Sequence, residues 1–272
     1  MRIFFTVLAV QMALAANAVT VEDMVLVPDV QKPFYINIFE VSDRMFEKVL
    51  NKRRYSGDEW PTRVETSQEA HDYCSRLGLR VPTVDEWMLA ATNLGQNKNY
   101  SVVGDAYKDA GGNKTFNWAG GDSIPVNQDG VGIDAIGTVG MSGNRGEWVV
   151  DANGDYLQCG GDYHIKDPAV YHLNKICGGS KSPIWSSNKK TTVRCVIDYS
   201  PDIQVTYSNL VSGKLKVYLE KISQGGNGPV VTPGDITIDD NRHSKMPTNS
   251  GDRLNPPEPN YNENRPQLDD EF

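Results

Sequence analysis

Cysteine and histidine are both scarce in this sequence, with four residues of each among 272. No two cysteines stand close enough together for the C-x₂₋₄-C knuckle of a zinc site, so zinc binding is the weaker interpretation. An even number of cysteines favours two disulfides instead. The sequence alone leaves three pairings open for the four residues, which are Cys74, Cys159, Cys177 and Cys195.

Long apolar runs are also lacking beyond the first residues of the chain. Arg2 supplies a positive charge, residues 3–10 open an apolar run, and residues 16–18 form an A-x-A cleavage site. This pattern predicts a secretory signal peptide over residues 1–18, with an uncleaved anchor as the alternative. We therefore expect a secreted or periplasmic protein with no integral membrane segment after removal of the signal, in a compartment where disulfides form.

Positive charge is the third shortage. The chain has 27 Lys and Arg against 35 Asp and Glu, a net charge of -8 and a pI of about 5.1. This balance argues against nucleic acid as a partner. The length permits one sizeable domain with appendages.

The first hundred residues carry clear signals for short strands and capped helices. Residues 25–38 alternate and predict two strands, and Ser42 is placed to cap a following helix. Thr66 with Glu69, and Thr83 with Glu86, have the spacing of capping boxes. The pattern predicts an α+β fold.

Residues 94–140 have the opposite character, because they are rich in glycine, asparagine and aspartate and show no helical spacing. A loop of this length is usually functional or braced by a metal. Asn117 and Asp129 are among its candidate oxygen ligands, although ordinary polar turns are the favoured explanation for any single one of these residues. The stretch at residues 143–148 has two interpretations: a turn that leads into a strand and buries Trp148, or a cation site.

The last third of the chain divides into three parts. Residues 191–197 are β-branched and predict one strand. Residues 200–224 are predicted to form a β appendage. Seven of the 15 prolines lie in residues 225–272, which are acidic and poor in apolar residues, so we expect a disordered tail that serves as a docking segment or only as a spacer.

The order of several motifs adds to this picture. Six motifs follow one another along the chain: F-E-V-S at residues 39–42, a helix with Tyr73 and Cys74, L-G-L-R-V-P-T-V-D-E-W at 77–87, G-N-R-G-E-W at 143–148, G-G-D-Y at 160–163, and Arg194 with Cys195. The set, over residues 24–197, resembles the formylglycine-generating enzyme family, also called the sulfatase-modifying factor family. The resemblance implies a loop-rich, C-type-lectin-like α+β domain over residues 19–199, often braced by Ca²⁺.

Three features follow from the resemblance. It implies a disulfide between Cys74 and Cys195, with Cys159 and Cys177 as the remaining pair. It implies a structural Ca²⁺ site at Glu147 and Asn144, although Gly146 stands where the family has a tryptophan. A second family Ca²⁺ site would fall near Asn117 and Asp129.

The chemistry of the family is not expected to carry over. The enzymes hold Cu(I) through two thiolates after the motif that matches residues 160–163, and those positions fall here on Ile165 and near Val170. A soft metal ion needs soft ligands. We therefore expect no copper and no formation of formylglycine. The three histidines that hold iron in a related branch also have no counterpart here, because the helical domain that supplies them is missing.

These expectations favour an exported, non-catalytic binding module that recognises a glycan or a protein through its loops. The candidate binding residues are Asp162, Tyr163, His164, Trp118 and Trp185. One alternative is an oxidoreductase with altered chemistry. The groups that would have to meet in its active site are Asp155, Asp162, Tyr163, His164 and Arg194. Another alternative is a cell-surface assembly component that docks through the acidic tail.

Overall fold

The computed structural model describes residues 19–29, 31–52, 54, 57–128, 131–185, 191–211 and 213–223. The predicted signal peptide and the predicted tail lie outside these residues and stay predictions. Within the described part of the chain, each helix is too short or too polar to span a bilayer.

The described residues form short strands and helices joined by long loops. In chain order they are β1 (Val19–Glu22), β2 (Met24–Val27), β3 (Phe34–Asn37), α1 (Asp43–Leu50), α2 (Ser67–Arg76), α3 (Val84–Ala91), β4 (Gly146–Val150), β5 (Tyr156–Cys159), a 3₁₀ helix (Pro168–Tyr171), β6 (Cys177–Gly178), β7 (Thr191–Thr192), β8 (Val196–Asp198), β9 (Ile203–Thr206) and α4 (Gly213–Ser223). The strands make three sheets, with the orders β1-β9, β2-β3-β8 and β6-β5-β4-β7. Because β1 pairs with β9 and β3 with β8, the first strands of the chain meet the last ones.

The first three helices begin where the sequence predicts. Each follows a residue whose hydroxyl oxygen accepts a hydrogen bond from the backbone N–H three positions on, at Ser42, Thr66 and Thr83. Glu86 completes the predicted capping box of α3. At α2 the carboxylate of Glu69 instead accepts a hydrogen bond from the N–H of Glu65.

The predicted β appendage is wrong in its second half. Residues 203–206 form strand β9, but residues 213–223 form helix α4. Leu215 and Leu219 of this helix are buried in the main core, and the hydroxyl of Tyr218 donates to the carbonyl oxygen of Ala135. The segment is therefore part of the domain rather than an attachment to it.

The single strand predicted over residues 191–197 is also wrong, since it is divided into β7 and β8. Between them, the backbone N–H of Cys195 donates to the side-chain oxygen of Asn37 at 2.8 Å, outside any ladder between strands. This interruption places Arg194 and Cys195 inside the domain, where both are fully buried.

Strand β4 separates two hydrophobic clusters. Val149 packs in the larger cluster, whereas Trp148 packs in a smaller one with Phe46, Tyr73 and the helix cysteine Cys74. The indole N–H of Trp148 donates to the carbonyl oxygen of Val64 at 2.9 Å. The stretch at residues 143–148 is thus a turn that leads into a strand and buries its tryptophan, the first of its two predicted interpretations.

Two disulfides take up all four cysteines. Cys74 pairs with Cys195, which joins α2 to the interruption between β7 and β8. Cys159 pairs with Cys177, directly across β5 and β6. This is the pairing that the family resemblance implies.

Candidate recognition site

Three loops meet at the start of β4, and backbone hydrogen bonds join them. The N–H of Asn144 donates to the carbonyl oxygen of Asn117 at 3.0 Å, and the carbonyl oxygen of Asn144 accepts from the N–H of Tyr163 at 3.1 Å. The N–H of Gly120 then donates to the carbonyl oxygen of Tyr163 at 2.7 Å. Gly143 permits this approach, because a Cβ there would lie 2.2 Å from the carbonyl oxygen of Asn117 and its φ is +75°.

The side chain of Asn144 stabilises the junction of the three loops through hydrogen bonds. Its Oδ1 accepts hydrogen bonds from the side chain of Asn117 at 3.1 Å and from the backbone N–H of Ile124 at 2.9 Å. Its Nδ2 donates to Oε2 of Glu40 at 2.5 Å. The other carboxylate oxygen of Glu40 accepts from the N–H of Arg145 at 3.0 Å, so one buried acid fixes two consecutive residues of the turn.

Four ionisable side chains lie buried beneath this junction: Glu40, Asp134, Glu147 and Arg194. Arg194 Nη2 lies 2.8 Å from Oε1 of Glu147, and both side chains have no exposed surface. Burial lowers the pKa of Arg194, but the charge and hydrogen bonds of Glu147, together with the charges of Glu40 and Asp134, outweigh it and leave the pKa raised. Burial and then the charge of Glu147 raise the pKa of Glu40 to about 8. The site thus stands on a buried cluster that contains one ion pair, between Glu147 and Arg194.

Glu147 does not fit the Ca²⁺ site that the resemblance implies. Both of its oxygens accept hydrogen bonds, from Arg194 at 2.8 to 3.2 Å and from the indole of Trp87 at 2.7 Å. A guanidinium in that position would repel a cation, and the oxygens that Ca²⁺ prefers must be free to bind it. Asn144 does not fit either, since its Oδ1 is occupied by two donors.

The second implied Ca²⁺ site stays a prediction. Asn117 is half-buried and uses its side-chain nitrogen on Asn144 and on the carbonyl oxygen of Asp122. Asp129 lies outside the described residues. Elsewhere in the described chain, no three His, Cys, Asp or Glu side chains are grouped as metal ligands.

The expectation that no copper binds stays a prediction. The family holds Cu(I) through thiolates, and both disulfides of this chain together use every cysteine. Ile165 and Val170 are half-buried and pack against the larger hydrophobic cluster. The atoms at these two positions are hydrocarbon, which offers nothing to a soft metal ion.

The predicted binding residues of the 160–165 loop lie at the junction, where Tyr163 is buried and His164 is exposed. Asp162 is buried, and its Oδ1 accepts from the backbone N–H of His164 at 2.6 Å and lies 3.7 Å from Nδ1 of the same imidazole. The imidazole of His164 is about half exposed, at 47%, and its centre lies 4.3 Å from that of the Tyr163 ring. Burial raises the pKa of Tyr163, and the positive charge of Arg145 opposes that rise.

Trp118 is the aromatic side chain of the neighbouring loop. Its ring meets Tyr107 edge to face at 5.7 Å, and the ammonium group of Lys114 lies 5.0 Å from its centre. The backbone N–H of the next residue, Ala119, donates to the carbonyl oxygen of Ile165 at 3.1 Å. Trp118, Asp122, Asp162, Tyr163 and His164 therefore belong to one region, which we call the recognition surface.

Trp185, the fifth predicted binding residue, lies elsewhere. Its ring packs edge to face against Trp148 at 5.8 Å, in the smaller hydrophobic cluster. Because Trp148 and Glu147 are successive strand residues, their side chains point to opposite faces of the sheet. The structure thus separates Trp185 from the recognition surface.

The constellation proposed for an altered enzyme does not assemble. Arg194 is fully buried and bonded to Glu147 and to backbone carbonyl oxygens. Asp155 is exposed, and its N–H donates to Asp151 at 2.9 Å in the turn between β4 and β5. Asp162, Tyr163 and His164 remain together only because they are consecutive, which removes most of the support for this alternative.

Sequence reasoning missed two of the buried acids, Glu40 and Asp134. The signal for Glu40 was its position inside the apolar stretch from Phe34 to Val41, where an acid must find donors if it is buried. Asp134 had no such signal. Its oxygens accept from the N–H groups of Ile136 and Thr138 and from the Thr138 hydroxyl, all within a local turn.

Asp134 yields a prediction about pH. Burial raises its pKa from 3.8 to about 7. A raised pKa means that the native state holds a proton that the unfolded chain has lost, so stability falls as pH rises from about 4 to about 7. Asp134→Asn keeps an oxygen for the two N–H donors and cannot ionise. We expect the variant to gain stability over the wild type between about pH 5 and pH 8, by on the order of 3 kcal/mol.

Urea denaturation at several pH values measures this difference. The matched control is Asp109→Asn, at an exposed turn where hydrogen bonds from Asn113 lower the pKa of the carboxyl. The control should show no gain as pH rises. A stability difference for Asp134→Asn that is constant with pH would contradict a protonated Asp134 in the native state.

The fold and the site together define an α+β, C-type-lectin-like domain with long loops. The model of the sulfatase-modifying factor enzyme 1-like domain matches residues 22–199. The chain therefore belongs to the sulfatase-modifying factor family.

Three solved structures are similar to the chain in fold, all at low identity. CarF has 18% identity and a TM-score of 0.41, with coverage of 62% of this chain and 87% of CarF. Variable protein 1 of Treponema denticola has 13% identity and a TM-score of 0.44, with coverage of 60% and 84%. The P3c variant of the Major Tropism Determinant has 13% identity and a TM-score of 0.37, with coverage of 61% and 50%. None of the curated proteins matches the chain significantly.

Proposed function

We propose that this protein is an exported, non-catalytic member of its family that binds a glycan or a protein through the recognition surface. The observation that carries the proposal is the state of the cysteines. All four are in disulfides, and the resemblance places the two copper-binding thiolates at Ile165 and near Val170, where the side chains are aliphatic. These observations support the proposal that the chain does not carry out the oxygen chemistry of the family.

The recognition surface supports binding for a second reason. Its floor is fixed by the backbone bonds of the loop junction and by the side chains of Asn144 and Glu40. Its rim presents the exposed groups of Asp122 and His164. A rigid floor beneath exposed polar groups lowers the entropy lost when a partner binds. Polar groups with aromatic rings beside them suit both a sugar and a protein partner.

Export is part of the proposal. Disulfides form and persist in oxidising compartments, and the first eighteen residues have the pattern of a signal peptide. The full-length protein should therefore be recovered from the periplasm or the medium without residues 1–18. Recovery of the protein in the cytoplasm with its N-terminus intact would contradict this part.

A binding screen tests the proposal with the exported protein, on a glycan array and by pull-down from surface extracts. We expect His164→Ala to weaken any ligand found at this surface by at least about fivefold, the loss typical of an important contact residue. The matched control is His71→Ala, because His71 is also exposed and lies 3.6 Å from a neighbouring carboxylate, that of Asp72, but on helix α2. The control should bind normally.

Three results would contradict the proposal. The first is a folded protein that binds nothing in either screen, and the second is a ligand that is lost equally in both histidine variants. The third is oxidation of the cysteine in a C-x-P-x-R peptide by the purified protein with copper and oxygen, because that reaction would establish the family's enzymatic chemistry here.

A further inference from the structure

The two disulfides differ in how deeply their cysteines are buried. Cys74 and Cys195 both have no exposed surface and lie in the smaller hydrophobic cluster. In the other bond Cys159 is equally buried, but Cys177 is only half-buried. Thiol–disulfide exchange requires a thiolate to reach one sulfur atom of the bond. Cys177 is thus the one cysteine with accessible surface.

Cys177 also lies in a short strand at an edge of its sheet. Strand β6 has two residues, stands at one end of the order β6-β5-β4-β7, and is joined to β5 by two residue pairs. The thioether sulfur of Met88 lies 3.8 Å from Cys177 Sγ. Short strands at a sheet edge open locally at low free-energy cost. The Cys177 sulfur can therefore become exposed without unfolding of the domain.

The loop that this disulfide closes carries three of the five residues of the recognition surface. Residues 160–176 lie between the two cysteines and include Asp162, Tyr163 and His164. At its two ends, the loop is held by a hydrogen bond from the N–H of Gly143 to the carbonyl oxygen of Gly160 at 2.8 Å, and by one from the N–H of Gly160 to the carbonyl oxygen of Ile176 at 3.0 Å. A change at Cys177 acts directly on this loop.

We propose that Cys177 is a thiol-exchange site at which a small thiol such as glutathione modifies the protein. The thiolate of glutathione attacks Sγ of Cys177 and forms a mixed disulfide there. The bond between Cys177 and Cys159 breaks, and Sγ of Cys159 leaves as a thiolate that takes a proton from water. A second glutathione thiolate can then attack the glutathione sulfur, which releases oxidised glutathione and leaves Cys177 as a thiol.

Exchange at Cys177 loosens the loop and weakens binding at the recognition surface. This consequence rests on the proposed function, whereas the exchange itself does not. After the bond breaks, β6 keeps its two residue pairs as the only described ladder to β5, so residues 160–176 gain freedom. A ligand must then restore the order of the loop when it binds, which lowers its affinity.

Graded reduction of the full-length, folded protein tests the site. The protein is incubated with increasing glutathione, free thiols are alkylated, and the peptides are assigned by mass spectrometry. We expect one glutathione per molecule, on Cys177, at a concentration at least about tenfold below that at which Cys74 and Cys195 become alkylated. The Cys74–Cys195 bond serves as the internal control. Hydrogen exchange should increase in residues 160–176 and remain unchanged in helix α2.

Three outcomes would overturn the site. They are glutathione on Cys159, reduction of both disulfides in parallel, and reduction only under conditions that unfold the domain.

The double variant Cys159→Ala with Cys177→Ala mimics the opened loop, and it should show the same increase in hydrogen exchange without any reductant. If exchange occurs at Cys177 but no ligand is ever found, the thiol-exchange site holds and the proposed function fails. If a ligand binds equally well to the double variant and to the wild type, exchange at Cys177 does not regulate binding at the recognition surface.

Discussion

Replacing Arg194 by methionine is expected to lower the free energy of unfolding by about 3–5 kcal/mol, the range for breaking a buried ion pair from one side. The variant would leave Glu147 without its counter-charge in a cluster that already contains Glu40 and Asp134. It would also leave backbone carbonyl oxygens without their donor, at Asn37, Ile38 and Val139. A folded domain of this size has only about 5–15 kcal/mol in total, so part of the population should unfold.

A double variant separates the effect of charge from that of lost packing. Arg194→Met combined with Glu147→Gln removes both charges and keeps an oxygen for the indole N–H of Trp87. Urea denaturation should show that the double variant is more stable than Arg194→Met alone, because no unpaired charge remains. A cost below about 1 kcal/mol for the single variant, or no recovery in the double variant, would show that the ion pair is not what holds this region.

The second large effect is expected at the Cys74–Cys195 disulfide, whose cysteines are 121 residues apart. A disulfide restricts the unfolded chain more when it closes a longer loop, and the loop-entropy relation gives about 4–5 kcal/mol here. For Cys159–Cys177, with a separation of 18, the same relation gives about 3 kcal/mol. Cys74→Ala with Cys195→Ala should therefore be the more damaging pair, also because these side chains are packed against Phe46 and Tyr73.

Chemical denaturation of the two double variants measures this order directly. The denaturant midpoint should fall further for the pair at Cys74 and Cys195 than for the pair at Cys159 and Cys177. An equal loss, or a larger loss at the second pair, would mean that native-state packing rather than loop closure determines the contribution of each bond.

Local chemistry explains why the first three helices could be predicted from the sequence. Ser42, Thr66 and Thr83 satisfy backbone donors within a few residues, so the information lies next to the helix it specifies. Helix α4 was missed because Leu215, Val217 and Leu219 alternate as they would in a strand. In the structure Leu215 and Leu219, four residues apart, are buried, whereas Val217 is 52% exposed, so a helical spacing is what matters.

The candidate site was predictable only in part. The 160–165 loop was located by its order among the motifs, and the structure joins it by hydrogen bonds to the loops of Asn144 and Ala119, whereas its role in binding stays a prediction. The role of Glu147 could not be predicted from its neighbours in the sequence, since its partners Arg194 and Trp87 are 47 and 60 residues away. Nothing near Glu147 distinguishes a carboxylate that binds a cation from one that pairs with an arginine.

The contact between Gly143 and the carbonyl oxygen of Asn117 has a consequence for how this surface can evolve. Selection should remove substitutions at Gly143, because any side chain there would collide with the backbone of Asn117. The outward groups of Asp122 and His164 carry no such restriction, since both are exposed. Descendants of this gene can therefore diversify the outer positions freely while inheriting the glycine unchanged, so a new specificity can arise without the supporting architecture being rebuilt.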